Sequence, residues 1–188
     1  ADSIDIFIKT PTGYNTATVG LLVSEVDDGV NTVYHWKHSY PITNDAIILA
    51  VTKYARYTQK VVYEGDTLEI VNYVFPGDSA DLVTKTQILE PVMMMYDSLF
   101  GIYPFQNEKY GQAQFTATIG VEIETISFIS NFSYNVMTHE LAHQWFGNKI
   151  GSSGLDDIWL SEGFAVFLTD LCYERFLPEN LKARIQGH

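Results

Sequence analysis

Residues 133–150 read SYNVMTHELAHQWFGNKI, with His139 and His143 four positions apart and Glu140 directly after the first. On an α-helix, positions four apart differ by about 40° around the axis and ~6 Å along it, so both imidazoles leave one face and can hold one ion. The stretch supports such a helix from about Asn135 to Phe146. Glu140 comes beside that ion instead of on it, where its carboxylate can take a proton from water. A third ligand has to come from another element. Glu162 lies 19 residues after His143, early in a second helical stretch from Ile158 to Phe176. An antiparallel helix pair joined through GNKIGSSGLDDI (147–158) returns it to the histidines.

Two histidines and a carboxylate suit one Zn2+ with a position left for water, whose pKa falls from ~15.7 to about 7 on the metal. The expected chemistry is amide hydrolysis: Glu140 accepts the water proton as a carbonyl is attacked, then delivers it to the leaving amine. Histidines so spaced can also be ordinary core or surface residues of a helix. Chance produces the three-residue pattern in about one chain in 130 of this composition, and with a Glu at one fixed later position in about one in 2000. The metal reading is therefore preferred.

Outward from this region the chain falls into two rhythms. From Ala1 to about Phe75 the apolar residues alternate, as in Ile4, Ile6 and Ile8. Runs rich in β-branched residues recur at ATVGLLVSEV (17–26), NTVYHWKHSY (31–40), AIILAVTKY (46–54) and TLEIVNYVF (67–75). These read as antiparallel strands, with Asp27-Asp28-Gly29 and Glu64-Gly65-Asp66 as turns. PGDSADL (76–82) then breaks the pattern. DLVTKTQILEPVMMMYDSLFG (81–101) reads as helical, capped by Asp78 or Ser79 and stopped by Gly101, with Pro91 as a bend or internal boundary and Met93, Met94 and Met95 filling core gaps. Two short strands, AQFTAT (113–118) and VEIETISFI (121–129), precede the two helices. The fold class is α+β: an antiparallel sheet or sandwich domain over residues 1–77, then a second domain over 78–188.

Composition sets limits on partners. A net charge of −12 with only 11 Lys and Arg excludes nucleic acid and anionic membrane surfaces as expected partners, since both need clustered positive charge. No stretch reaches the ~18 consecutive apolar residues of a membrane helix. The single cysteine, Cys172, lies in the apolar run FAVFLTDLCY and reads as a buried thiol. His35 and His38, three apart on a strand, project to opposite faces, which argues against a second metal site there.

Several separated motifs, HELAHQWFGN, DDIWLSEGFA, SLFGIYPFQNEKYG and GVEIETIS, with a weaker one in VNTVYHWKHSYPI, resemble the zinc aminopeptidases of the aminopeptidase N and leukotriene hydrolase family, within the gluzincins. The resemblance spans nearly the whole chain and is most specific from Ser98 to Ala165. It implies that residues 78–188 are the first half of a thermolysin-like zinc peptidase domain, with His139, His143 and Glu162 holding Zn2+ and Glu140 as catalytic base. The substrates it implies are peptides with a free amino terminus. A family strand motif that holds the substrate's α-ammonium aligns on GVEIETIS. This makes Glu122 the anchor and places Gly120 and Val121 on the motif's small residue and methionine. Glu124 is the rival, and simple solvent-facing alternation of both is the alternative. Ile123 replaces the motif's usual Asn, Ser161 stands where many relatives have Asn, and Thr169 stands where many have a carboxylate supporting a zinc-bound histidine. Asp170 is the nearest substitute, turned about 100° around the helix. The family's intermediate-stabilising tyrosine is expected beyond this chain, which is therefore expected to be a fragment that binds zinc better than it catalyses. Endopeptidase or epoxide hydrolase chemistry on the same zinc site, and a non-catalytic scaffold, are the competing expectations.

Overall fold

The computed structural model describes residues 1–117, 120–151 and 154–187. The first part consists of β1 (Ile4–Pro11), β2 (Asn15–Ala17), β3 (Leu21–Asp27), β4 (Asn31–His38) and β5 (Ala50–Thr52). Its three-stranded sheet has the order β1-β4-β3 and is antiparallel throughout, and β2 pairs antiparallel with β5. Alternation decides the inner face of β4, where Thr32, Tyr34, Trp36 and His38 are all buried. The β3–β4 turn follows from its residues. Asp27 Oδ1 accepts from the Gly29 amide at 2.7 Å, Asp28 Oδ1 accepts from Val30 and Asn31 at 2.9 and 2.6 Å, and Gly29 takes φ +87°.

Next come β6 (Ala55–Tyr63), β7 (Asp66–Val74), α1 (Ser79–Lys85), α2 (Leu89–Phe100), β8 (Lys109–Gln114), β9 (Val121–Ile123), β10 (Ile126–Ile129), α3 (Tyr134–Ala142), α4 (Ile158–Phe176) and α5 (Pro178–Gln186). A five-stranded mixed sheet of order β6-β7-β8-β10-β9 runs through this part, parallel at β7/β8 and β8/β10. One face carries Ile70, Val74, Tyr110 and Ile129 against helical Met93, Tyr96, Met137, Leu141 and Leu168. The opposite face carries Val71, Tyr73, Ala113, Ile126 and Phe128 against Tyr34, Trp36 and Ile42. The sheet is thus the middle of three layers, buried on both sides. It also crosses the boundary expected at residue 77, because β6 and β7 hydrogen-bond onward into β8.

Several local expectations are corrected. The stretch 81–101 is two helices, parted by a 3-10 turn at Thr86–Ile88. Pro91 lies in the first turn of α2, where a missing N–H leaves no intrahelical bond unmade, so it stands at the internal boundary and does not bend a helix. Of the three methionines, Met93 is buried but Met94 is exposed. The run 121–129 is a hairpin of β9 and β10, not one strand, and the strand before it begins at Lys109, four residues ahead of the expected start. Position 118, the end of that expected strand, lies outside the described residues. Cys172 is buried as expected, and among the described residues no helix is long and apolar enough to cross a membrane.

Candidate metal centre and substrate strand

α3 starts where Ser133 Oγ accepts from the Val136 amide at 3.3 Å, a cap typically contributing about 1 kcal/mol. Met137 and Leu141 bury one side of the helix in the core. It ends at Ala142, four residues short of Phe146. Beyond it, Gln144 and Trp145 amides turn back to Leu141 and Ala142 carbonyls, and the amides of Asn148, Lys149 and Ile150 each reach a carbonyl five residues back. His143 sits at the C-cap. Phe146 then stacks on Phe164 of α4, with centroids 4.4 Å apart, fixing the first turns of α4 beside the end of α3.

This packing brings three donors together. His139 Nε2 lies 3.1 Å from His143 Nε2 and 3.3 Å from Glu162 Oε2, and His143 Nε2 lies 3.6 Å from Glu162 Oε1. Ligands at 2.0–2.2 Å in a tetrahedral zinc site stand about 3.3–3.6 Å from one another, so the residues present fit that ion. Second-sphere chemistry agrees. His143 Nδ1 is 3.0 Å from the Phe146 carbonyl, so Nδ1–H donates there and the Nε2 lone pair is left for a metal. Desolvation, followed by the neighbouring His143, holds His139 below the ordinary histidine range against the pull of Glu162, which favours the neutral ligand form. Among the described residues these three are the only group able to hold a metal.

Glu140, on the same helix, is buried, and its Oε2 has no hydrogen-bond partner. Burial first, then the carboxylates of Glu122 and Glu162, push it up to about 8 in the protein alone. A divalent cation beside it acts in the opposite sense. Gly120 passes against this carboxylate so closely that an added Cβ would overlap Glu140 Oε1. The obstructing atom is the end of a flexible side chain. Gly120→Ala is therefore expected to leave the thermal midpoint nearly unchanged while lowering kcat by about 10²-fold, since a shift near 1 Å in a reacting group has effects of that size. Equal losses of stability and activity would contradict this.

The β9–β10 hairpin pairs Glu122 with Ser127, and Ser127 Oγ reaches the Glu140 carbonyl at 3.5 Å, so this face looks at α3. Among the described residues no hydrogen bond or ion pair engages the Glu122 carboxylate, although its backbone lies in the β9/β10 ladder. Val121 packs at the edge of the second core. Glu124 is differently placed: its Oε2 is 2.6 Å from His38 Nε2, and His38 Nδ1 is 2.7 Å from Glu108 Oε2. Glu108 Oε1 also accepts from the Ser39 amide at 2.6 Å. Desolvation pulls His38 down, but hydrogen bonds with Glu108 and Glu124 and their charges outweigh it, and the imidazolium is held up to about 9.

A histidine raised in the folded state contributes stability below its unfolded pKa of about 6.5 and loses it as pH rises through the folded value. The difference in thermal midpoint between the wild type and His38→Gln is accordingly expected to shrink from pH 7 to pH 10. The comparison isolates His38 from Lys109, whose buried ammonium is pushed down by desolvation to about 7 and titrates in the opposite sense. A constant difference across that range would refute the charged assignment.

Sequence reasoning missed the residues that hold the hairpin. Gln144 accepts from the Thr125 amide and donates to the Ile123 carbonyl, both at 2.9 Å, tying the hairpin turn to the end of α3. An amide side chain directly after the second histidine, able to give and take one bond each, was the available signal. Thr169 Oγ1 donates to the Ala165 carbonyl, Asp170 accepts from Arg184 of α5 at 3.0 Å, and Ser161 Oγ donates to the Ile158 carbonyl. His35 pairs with Asp5 at 2.6 Å, on the opposite side of β4 from His38.

Residues 122–186 match the Peptidase family M1 domain. The chain is 25% identical over 175 residues to "Probable aminopeptidase 1" of Sulfurisphaera tokodaii, covering 84% of this chain and 22% of that protein. It is 47% identical over 58 residues to "Membrane alanyl aminopeptidase" of Manduca sexta, covering 26% of this chain and 6% of that protein. In fold it resembles an M1 zinc metallopeptidase mutant from Deinococcus radiodurans bound to a Tyr-Ser-Ala substrate. The TM-score is 0.75 at 22% identity, over 92% of this chain and 40% of that one. The chain thus matches 22% of the length of the first of these curated relatives and 6% of the second. Residues 122–186 are thus similar to the peptidase family M1 domain, and the chain as a whole, antiparallel sheets followed by part of a peptidase-like domain, has the fold of M1 metallopeptidases.

Proposed function

We propose that this chain carries the metal centre and amino-terminus-binding strand of a zinc-dependent aminopeptidase that hydrolyses the first peptide bond of peptides. The observation that carries the reading is the convergence of His139, His143 and Glu162 on one point, with buried Glu140 beside them and, on the adjoining strand, Glu122, whose carboxylate has no partner among the described residues. His139, His143 and Glu162 are the residues that would hold Zn2+, which when bound polarises a carbonyl and acidifies water. Glu140 takes up the proton as water attacks and returns it to the departing amine. Glu122, extended on β9 across from Ser127, binds the substrate's α-ammonium by a charge-assisted hydrogen bond, which internal residues of a peptide cannot supply. Glu124 is a weaker candidate for that role because His38 already occupies it. Gly120 and Val121 run alongside as the backbone of the substrate strand. The peptidase part is proposed to include β6 and β7 together with residues 78–188, since they belong to one hydrogen-bonded sheet.

The test compares peptides with free and acetylated amino termini in the full-length protein. Cleavage of the free peptide alone is expected; equal cleavage of both would favour endopeptidase chemistry on the same centre. Lack of stoichiometric zinc after purification without chelator would favour the scaffold reading instead.

A further inference from the structure

We infer that His38, acting through Glu124, is a positioning residue: it fixes the turn of the β9–β10 hairpin and so sets where Glu122 meets the substrate's amino group. This rests on the proposed anchoring role of Glu122. Four observations carry it. His38 is fully buried, and both its ring nitrogens are committed to carboxylates from two separate parts of the chain, Glu108 ahead of β8 and Glu124 in the hairpin turn. Glu124 is two residues from Glu122. Its neighbour Thr125 takes φ 68°, the one non-glycine residue with positive φ among those described. Such a conformation persists in an L-residue only when its surroundings impose it.

The surroundings do so from several directions. The Thr125 hydroxyl accepts from the Gly20 amide at 2.9 Å, its carbonyl accepts from Lys109 Nζ at 3.3 Å, and its amide donates to Gln144. The turn therefore hangs between the three-stranded sheet, through His38 and Gly20, and the metal helix, through Gln144. A buried charged cluster is a poor way to gain stability, because well-packed apolar residues do as well without desolvating ions. Short bonds of 2.6 and 2.7 Å to both imidazole nitrogens instead give a fixed direction and distance. The same cation occupies Glu124 and leaves Glu122 as the unpaired carboxylate of the hairpin. This makes the sheet of β1, β3 and β4 a part of amino-terminus recognition, although it lends no residue to the metal centre.

The experiment measures kcat, KM, zinc content and thermal midpoint for aminoacyl arylamide hydrolysis by the full-length protein and its variants. Glu124→Ala is expected to raise KM by about tenfold with kcat and zinc nearly unchanged. Glu124→Gln, which keeps an acceptor for His38, is expected to restore KM to within about threefold of wild type. If Glu124→Ala does not fold, His38→Gln serves in its place, with the same rise in KM expected. Glu122→Ala is the control: it must itself raise KM. A rise for Glu122→Ala with KM unchanged for Glu124→Ala and His38→Gln overturns the positioning role alone, even if their thermal midpoints fall. No rise for Glu122→Ala overturns the anchoring role and the inference with it.

Discussion

Glu140→Gln in the full-length protein is expected to lower kcat by about 10²- to 10⁴-fold, the usual contribution of a general base, while one zinc per chain is retained. The substitution is nearly isosteric. It replaces an acceptor with a group that cannot take a proton, and Glu140 is not among the three converging donors. Its effect on stability has a definite sign. A carboxylic acid whose folded pKa lies near 8, against an ordinary value of 4.5, lowers stability progressively as pH rises from about 4.5 to about 8. Without metal, the glutamine variant should therefore be at least as stable as wild type, with the gap widening across that interval. Thermal melts at pH 5 and pH 8 in chelator measure this. Retained activity, or a variant that loses zinc along with activity, would remove Glu140 from the role of base.

Glu162→Ala is expected to cut zinc affinity by more than ~10²-fold, beyond the 10- to 100-fold typical of changes to outer partners. In the proposed site Glu162 is the one anionic ligand, and its two oxygens face both histidine nitrogens, at 3.3 and 3.6 Å. Binding to the folded state alone stabilises it by mass action. At free zinc 1,000 times the wild-type Kd the gain is about 4.1 kcal/mol, and a 100-fold weaker site at the same zinc gains about 1.4 kcal/mol. Isothermal titration against a competing chelator and melts with and without zinc give both quantities. Undiminished zinc binding by Glu162→Ala would mean that the third ligand lies elsewhere.

The candidate metal residues were legible because their signal is local: four-residue spacing on α3 and an early position on α4, whose limits of Ile158 and Phe176 agree with the sequence reading. α3 itself is shorter than its pattern suggests, since the chain tightens after Ala142, yet His143 at the C-cap keeps the required face. What sequence concealed were features imposed by distant residues. Glu124-Thr125 carries no glycine, asparagine or proline, so nothing in the run VEIETISFI announces a turn; Gln144, Gly20 and Lys109 impose it. Lys109 looks like a loop residue. It opens β8 as a buried amine near the face of Trp36. The sheet across residue 77 was hidden for a related reason: β7 and β8 are parallel neighbours separated by two helices, a pairing that alternation cannot reveal.

The tethers of the hairpin turn also bear on how the chain reaches its native state. His38 to Glu124 spans 86 residues and Gly20 to Thr125 spans 105, so each closes a long loop before any local contact rewards it. The β9–β10 hairpin is consequently among the last parts to become fixed, and it cannot loosen without undocking the first sheet. Its amides belong to the global unfolding unit. The Thr125 N–H, bonded to Gln144, should exchange with solvent only as slowly as the whole molecule opens, in contrast to the amides of α5, which has no buried residue.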